Sequence, residues 1–424
     1  MMDIQYEATQ AFARDLDQVD TLYHFRTRFN FPQHNGKDVV YMCGNSLGLQ
    51  PRSVEYLMQQ ELKDWAKYGV EGHFQAANSW FSYHQIFSER LARVVGAKKD
   101  EVVATNTLTV NLHLLMISFY RPGGNRYKIL MEAGAFPSDQ YAVETQVRMH
   151  GYDPEDAIIE IAPKPGKHII EEEDIIRAIE EAGDSLALVM LGGVNYYTGQ
   201  YFDLKQITAA AHKAGAYAGY DLAHAAGNIP MQLHDWDVDF ACWCSYKYLN
   251  SGPGGVGGLY VHEKHCGNPE IFRLGGWWGN DEKDRFKMRK GFIPQNNAGS
   301  WQMSNAPVFN MVAHNAALDI HDKAGMKALR EKSEKLTGFA EFLLKQIKHL
   351  SFEIITPSDP TRRGCQLSLL FADNGREVFD ALTKNGVIAD WREPNVIRIA
   401  PVPLYNSFED VYRFYEILQT VNRS

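Results

Sequence analysis

From about residue 127 the chain alternates short apolar runs with longer segments of helical spacing. "YKILMEA", "AIIEIAP", "LALVMLGGV", "YAGYDLAH" and "VDFACWCSY" have strand length and little polar interruption. Between the earlier of them lie "SDQYAVETQVRMHG", "EEEDIIRAIEEAG" and "DLKQITAAAHKAGA". The second of these helices opens on acids and closes at Gly183, and the third has Asp203 as its N-cap, as the helix dipole and the free terminal amides favour. Apolar strands separated by crossover helices predict an α/β fold, a mostly parallel sheet covered on both faces.

After about residue 306 the pattern changes. One long helical stretch runs from "PVFNMVAHNAALDIH" through "KALREKSEKLTGFAEFLLKQIKHL". "FEIITP", "CQLSLLF" and "NVIRIAP" then read as strands, with "REVFDALTKNG" and "SFEDVYRFYEILQTV" as helices. That texture predicts a smaller C-terminal α+β domain. The expected division is residues 1–60 as an N-terminal segment packing on the small domain, 61–305 as the large domain, and 306–424 as the small one.

Composition narrows the function. With 424 residues, 45% of them hydrophobic, the chain can bury a large core. Its formal charge is −9, from 43 basic and 52 acidic residues spread along the chain, which speaks against nucleic acid or an anionic membrane as partner. The acidic start "MMDIQYEATQAFARDLDQVD" is no signal peptide, and runs such as "LHLLMISFY" are too short to span a bilayer. Five cysteines without a CxxC pair read as reduced thiols, so the expectation is a cytoplasmic protein with no metal site.

In open α/β sheets ligands bind at the carboxyl ends of the strands. "YDLAH" puts Asp221 and His224 at such an end, and "CSYK" puts Tyr246 and Lys247 at the next, 26 residues further from acid to lysine. "EAGAFPSD" offers Phe136 and Asp139, and "TNTLTVNLH" offers Leu108, Thr109 and the free amides of a helix start. An acid, a lysine, an aromatic plate and a helix N-terminus are the parts that hold a phosphorylated pyridine aldehyde. The glycines after Lys247 in "NSGPGGVGG" suit a tight turn beside such a ligand, as they suit any turn between strands.

"YDLAH" followed by "CSYKYLNSGPGG" resembles the fold-type I pyridoxal-phosphate enzymes, in the branch that holds cysteine desulfurases and kynureninases. "YMCGNSLGLQP", "TLTVNLH", "AFPSD", "HDWDVDFACWCSYKYLN", "GGWWGN" and "RIAPVPLYNSFEDVYRF" resemble the kynureninases specifically, over roughly residues 40 to 415. The resemblance implies pyridoxal 5′-phosphate as cofactor, bound as a Schiff base on Lys247. It implies Leu108 and Thr109 on the phosphate, Phe136 stacked on the ring with Pro137, Ser138 and Asp139 beside it, Asp221 on the pyridine nitrogen, His224 as an orienting group, and Tyr246 reaching the phosphate and donating a proton. Trp277 and Asn305 match positions that reach the cofactor from a neighbouring subunit, which implies a homodimer with shared sites. Arg398 matches the clamp for the substrate α-carboxylate, and Ser46, His73, Ser304 and Asn305 match other substrate contacts. Gly192 departs from the pattern, since relatives often carry a hydroxyl residue there. The implied reaction is hydrolysis of L-kynurenine or 3-hydroxy-L-kynurenine to anthranilate or 3-hydroxyanthranilate and L-alanine, with the hydroxylated substrate preferred. One rival is a cysteine desulfurase or selenocysteine lyase, for which Cys365 is the sole late thiol. The other is a silent cofactor-binding regulatory protein, against which the intact Lys247, Asp221 and Arg398 argue.

Overall fold

The structure, a computed structural model, describes residues 5–421; residues 1–4 and 422–424, the outer ends of the first and last expected segments, lie outside the described residues. Seven strands form the main sheet: β1 (Val102–Ala104), β2 (Lys128–Glu132), β3 (Ile158–Ile161), β4 (Leu186–Gly192), β5 (Tyr217–Asp221), β6 (Phe240–Cys244) and β7 (Gly257–Val261). Their spatial order is β3-β2-β4-β5-β6-β7-β1. The pairs from β3 through β6 are parallel, while β7 runs antiparallel to both β6 and β1. Helices Pro137–Met149, Glu172–Ala182 and Leu204–Lys213 make the crossovers, and Asp203 caps the last by accepting the Gln206 N–H at 3.0 Å.

Continuous apolar runs follow from burial on both faces. Leu130, Val189, Leu191, Tyr220 and Trp243 enter the core on one side, and Ile129, Met131, Leu188, Met190 and Cys242 the core on the other. Full burial of each large aliphatic side chain contributes about 1.5–3 kcal/mol.

A second, antiparallel sheet orders β8 (Phe352–Ile354), β9 (Leu367–Phe371), β11 (Val396–Ile399) and β10 (Asp390–Arg392) in that sequence. Its core takes Leu369, Ile397 and Phe414 together with Ala13, Val40 and Met42 from the N-terminal segment. The long helical stretch is two helices, Val308–Ala324 and Met326–Leu344, broken at Gly325, whose φ of 76° ends the first. The break separates two packings: Met311, Val312 and Leu318 join the large core, Leu336 and Phe339 the small one. No helix among the described residues is long and apolar enough to cross a membrane.

Asp239, at the entry to β6, anchors the end of the sheet away from the strand exits. It is buried, and it accepts the Ala218 N–H at 2.8 Å. His212 Nε2 lies 2.8 Å and His265 Nε2 2.7 Å from its oxygens, with the Lys264 ammonium at 3.2 Å. Burial alone would weaken this acid, but the hydrogen bonds from His212 and His265 and the nearby positive charge outweigh it and hold the carboxyl below its ordinary value. A carboxyl depressed in the fold adds stability above its unfolded pKa and loses it as pH falls through the folded one. Asp239→Asn is therefore expected to lower stability at pH 7 by about 3–5 kcal/mol, the cost of breaking a buried pair. The variant should also lose less further stability than the parent below about pH 4, where only the parent has this charge to lose. Denaturant melts at both pH values check this; identical acid sensitivity in the two proteins would count against it.

Candidate active site

The parallel register brings strand exits level, with Gly192, Asp221 and Cys242 directly paired across β4, β5 and β6. Around these exits lies a cavity of about 170 Å³. Nine residues expected from the sequence line it: Leu108, Thr109, Phe136, Ser138, Asp139, Asp221, His224, Tyr246 and Lys247. Glu132, Gly192, Val194, Tyr196 and Ala223 complete the wall. Pro137 opens the helix between Phe136 and Ser138, where its missing N–H costs nothing.

Lys247 is half-buried and leaves β6 through Ser245 and Tyr246. Its Nζ stands 3.0 Å from His224 Nε2 and 5.9 Å from the centre of the Phe136 ring. His224 is buried, and burial with the adjacent ammonium holds its imidazole neutral, far below the usual range. A neutral ring facing an ammonium through Nε2 carries its own proton on Nδ1, and that buried atom has no hydrogen-bond partner among the described residues. Asp221 accepts the Ala223 N–H at 2.7 Å. Burial raises its pKa against the charge of Lys247, while burial and the Asp221 charge push Asp139 well above the carboxylate range. The two share a side-chain hydrogen bond, so Asp139 holds the proton and Asp221 the charge. Burial, then the Asp221 charge, pushes Glu132 up to about 7.

Helix Leu108–Phe119 points its N-terminus into the same cavity. Thr107 makes no side-chain cap and no acid occupies the first turn, so the terminal amides are available to an anion. A phosphate dianion fits that end, a pyridine ring fits beside Phe136, and a ring nitrogen fits against Asp221. The orphaned His224 Nδ1 and Glu132 Oε2 show that the cavity holds polar groups still lacking partners. The residues present fit pyridoxal phosphate.

Several expected residues lie outside this wall. Arg398 is buried, forms an ion pair with Asp390, and donates from Nη1 to the Tyr196 carbonyl at 2.5 Å, reaching the cavity through that residue. Ser46 sits in a turn whose Gly48 N–H donates to the Tyr246 carbonyl at 2.8 Å. A Cβ at Gly48 would stand 2.4 Å from the Lys247 carbonyl, so only glycine lets the turn lie this close to the lysine. His73 Nδ1 is 2.9 Å from the Val70 carbonyl. Trp277, Ser304 and Asn305 are exposed. His73 and Trp277 nevertheless share one surface: rings run His73, Phe74, Phe81, Phe286, Trp277 with centroid spacings of 6.5, 5.8, 5.7 and 5.6 Å.

Sequence reasoning missed Glu132 and Tyr196. Glu132 carried a usable signal, an acid closing an apolar strand just as Asp221 does; Tyr196, in the loop after β4, carried none.

A family model described as the kynureninase C-terminal domain matches residues 329–418. The chain is 54% identical over 417 residues to the kynureninase of Flavobacterium johnsoniae, covering 98% of each. Among solved structures, a C-DES variant with glycine covalently linked to its PLP cofactor superposes with a TM-score of 0.77 at 17% identity, covering 91% of this chain and 97% of that one. The cysteine desulfurase CsdA of Escherichia coli superposes with a TM-score of 0.76 at 19% identity, covering 95% and 98%. These two share the fold, that of the fold-type I branch expected from the sequence. With more than half its positions matched along nearly its whole length, the chain belongs to the kynureninase family.

Proposed function

We propose that the protein hydrolyses L-kynurenine and 3-hydroxy-L-kynurenine to anthranilate or 3-hydroxyanthranilate and L-alanine, with pyridoxal 5′-phosphate as cofactor. The observation that carries this is Lys247 at a strand exit, facing the buried Asp221–Asp139 pair across a cavity that a free helix N-terminus also enters. Bound there, the cofactor supplies an electron sink for charge developing at the substrate α-carbon. Leu108 and Thr109 hold its phosphate, and Phe136 covers its ring. Asp221 keeps the ring nitrogen protonated, with Asp139 behind it. Lys247 Nζ would hold the cofactor and would carry the substrate α-proton. His224 orients the lysine through its 3.0 Å contact. Burial raises the Tyr246 phenol, which keeps its proton at neutral pH and can donate it. Arg398 binds the substrate carboxylate, a task its planar guanidinium suits.

A desulfurase needs a mobile, ionisable cysteine. Cys365 is fully buried, and burial pushes its thiol up to about 12. Cys43 is likewise pushed up to about 12, by burial and then by Asp390. Neither suits that chemistry.

The same reading divides the chain into the N-terminal segment 1–60, a large domain 61–305 and a small domain 306–424, and makes the protein cytoplasmic. It also makes the active unit a homodimer. The exposed ring chain from His73 to Trp277, with Ser304 and Asn305, supplies contacts to the partner copy's cavity, including those that read the 3-hydroxyl group.

Adding kynurenine to the purified yellow protein should release fluorescent anthranilate. Borohydride should fix the cofactor to the peptide holding Lys247, and Lys247→Ala should lower kcat by at least about 100-fold. A Lys247→Ala protein with normal turnover sinks the assignment.

Mixing Lys247→Ala with Asn305→Ala under subunit exchange should restore activity that neither has alone. A fully active monomer at assay concentration would falsify the shared site.

3-Hydroxykynurenine should have the higher kcat/KM, since a site built to bond a hydroxyl leaves groups unpaired when it is missing. Replacing both His73→Trp and Asn305→Thr should shift that ratio toward kynurenine. An unmoved ratio means these residues do not read the hydroxyl.

A further inference from the structure

The roles above leave one acid of the cavity without a task. Glu132 closes β2, is 3% exposed, and lines the cavity. Its Oε2 has no hydrogen-bond partner among the described residues. Its Oε1 lies where Gly192 has no side chain: a Cβ there would stand 3.1 Å from it. The bare glycine is thus the room in which the carboxyl sits.

The groups facing Glu132 come from four elements. Asp221 closes β5, and Asp139 sits in the first turn of helix Pro137–Met149. Asn195, in the loop after β4, is near enough for its side chain to favour the charged form. Lys247, after β6, supplies a positive charge beside Asp221, and its neighbour His224 is neutral. Three buried carboxyls therefore lie together, and of them Asp221 is the one that faces the charge of Lys247. A buried site holds as many carboxylates as it has positive charges to face them; the others keep their protons.

We propose that Glu132 is a positioning residue for the cofactor ring: its protonated carboxyl fills the wall beside Asp221, leaving Asp221 as the one charged acid opposite the ring nitrogen. The proposal rests on the cofactor assignment made above. Asp139 bonds Asp221 directly and spends its proton there. Glu132 holds its proton without such a bond, so of the two protonated acids it is the one that gives it up first. Burial, then the Asp221 charge, weakens its acidity up to about 7, so the carboxyl is neutral below that value and charged above it. As pH rises through that value, a second negative charge enters the cavity wall. The environment of the ring changes with it, and so does the light the ring absorbs.

The test is the absorbance of the bound cofactor and its dissociation constant, followed from about pH 6 to pH 8 in the wild type and in Glu132→Gln. The glutamine keeps the shape and a polar group but has no proton to lose. Expected are a spectral transition near pH 7 in the wild type, none in Glu132→Gln, and cofactor dissociation constants within about threefold of each other at pH 6. Two results overturn the proposal: both proteins titrate alike, or the folded Glu132→Gln protein loses its cofactor at pH 6, which would mean that the charge of Glu132 is what holds the ring. Should Glu132→Gln fail to fold, Gly192→Ala carries the test, because its Cβ crowds the carboxyl and should move the midpoint of the transition. An unmoved midpoint counts against the role. A wild type that takes up no cofactor refutes the cofactor assignment instead, so the two failures are distinct.

Discussion

A charge taken out of water must face an opposite charge or give up its proton, and the site is arranged by that rule. Lys247 brings an ammonium to the exit of β6, where its charge faces Asp221, with Asp139 and Glu132 buried beside that acid. Parallel pairing makes this possible. Because β4, β5 and β6 run the same way in register, their exits lie side by side and the loops that follow converge. An antiparallel sheet would send alternate exits to opposite ends. The one antiparallel strand of the larger sheet, β7, comes after the lysine and carries no wall of the cavity.

The same rule explains which parts were legible in the sequence. Strands buried on both faces must be apolar throughout, so β2, β4, β5 and β6 could be read directly, as could the Asp203 cap. Asp221 and Lys247 stood out because each interrupts apolar sequence where a buried strand ends. Glu132 does the same, but its task depends on neighbours from four other elements, and sequence spacing does not show these. β1 is three residues long, too short for periodicity to register. Gly325 was hidden because a helix pattern persists on both sides of it; only the change of packing partner, from the large core to the small, requires the break. Arg398 was visible as a residue, while its partner Asp390 lies on a different strand of an antiparallel pair, a relation set by register.

Residues carried over by resemblance divide in space. Those around Lys247 meet in one cavity of one chain, whereas His73, Trp277, Ser304 and Asn305 lie outside its wall. A run of ring contacts joins His73 to Trp277 across Phe74, Phe81 and Phe286, and three of the five rings in it are large and exposed. Aromatic residues left in water along a continuous path gain most when another surface covers them. That gives the exposed path a physical reason to meet a second copy, and the proposed homodimer a reason to place substrate contacts there.

The two ends of the sheet show where the molecule is finished and where it is not. At the strand entries Asp239 has both oxygens bonded, to Ala218, His212 and His265, and Glu101 accepts from His234 and from the Lys98 and Glu263 amides. At the strand exits Glu132 Oε2 and His224 Nδ1 are buried without partners among the described residues. Unbonded buried polar atoms are costly, about 1–3 kcal/mol each, and at the strand exits a bound ligand can supply the missing bonds. The closed network at the other end holds the strands in the register that keeps those atoms in place.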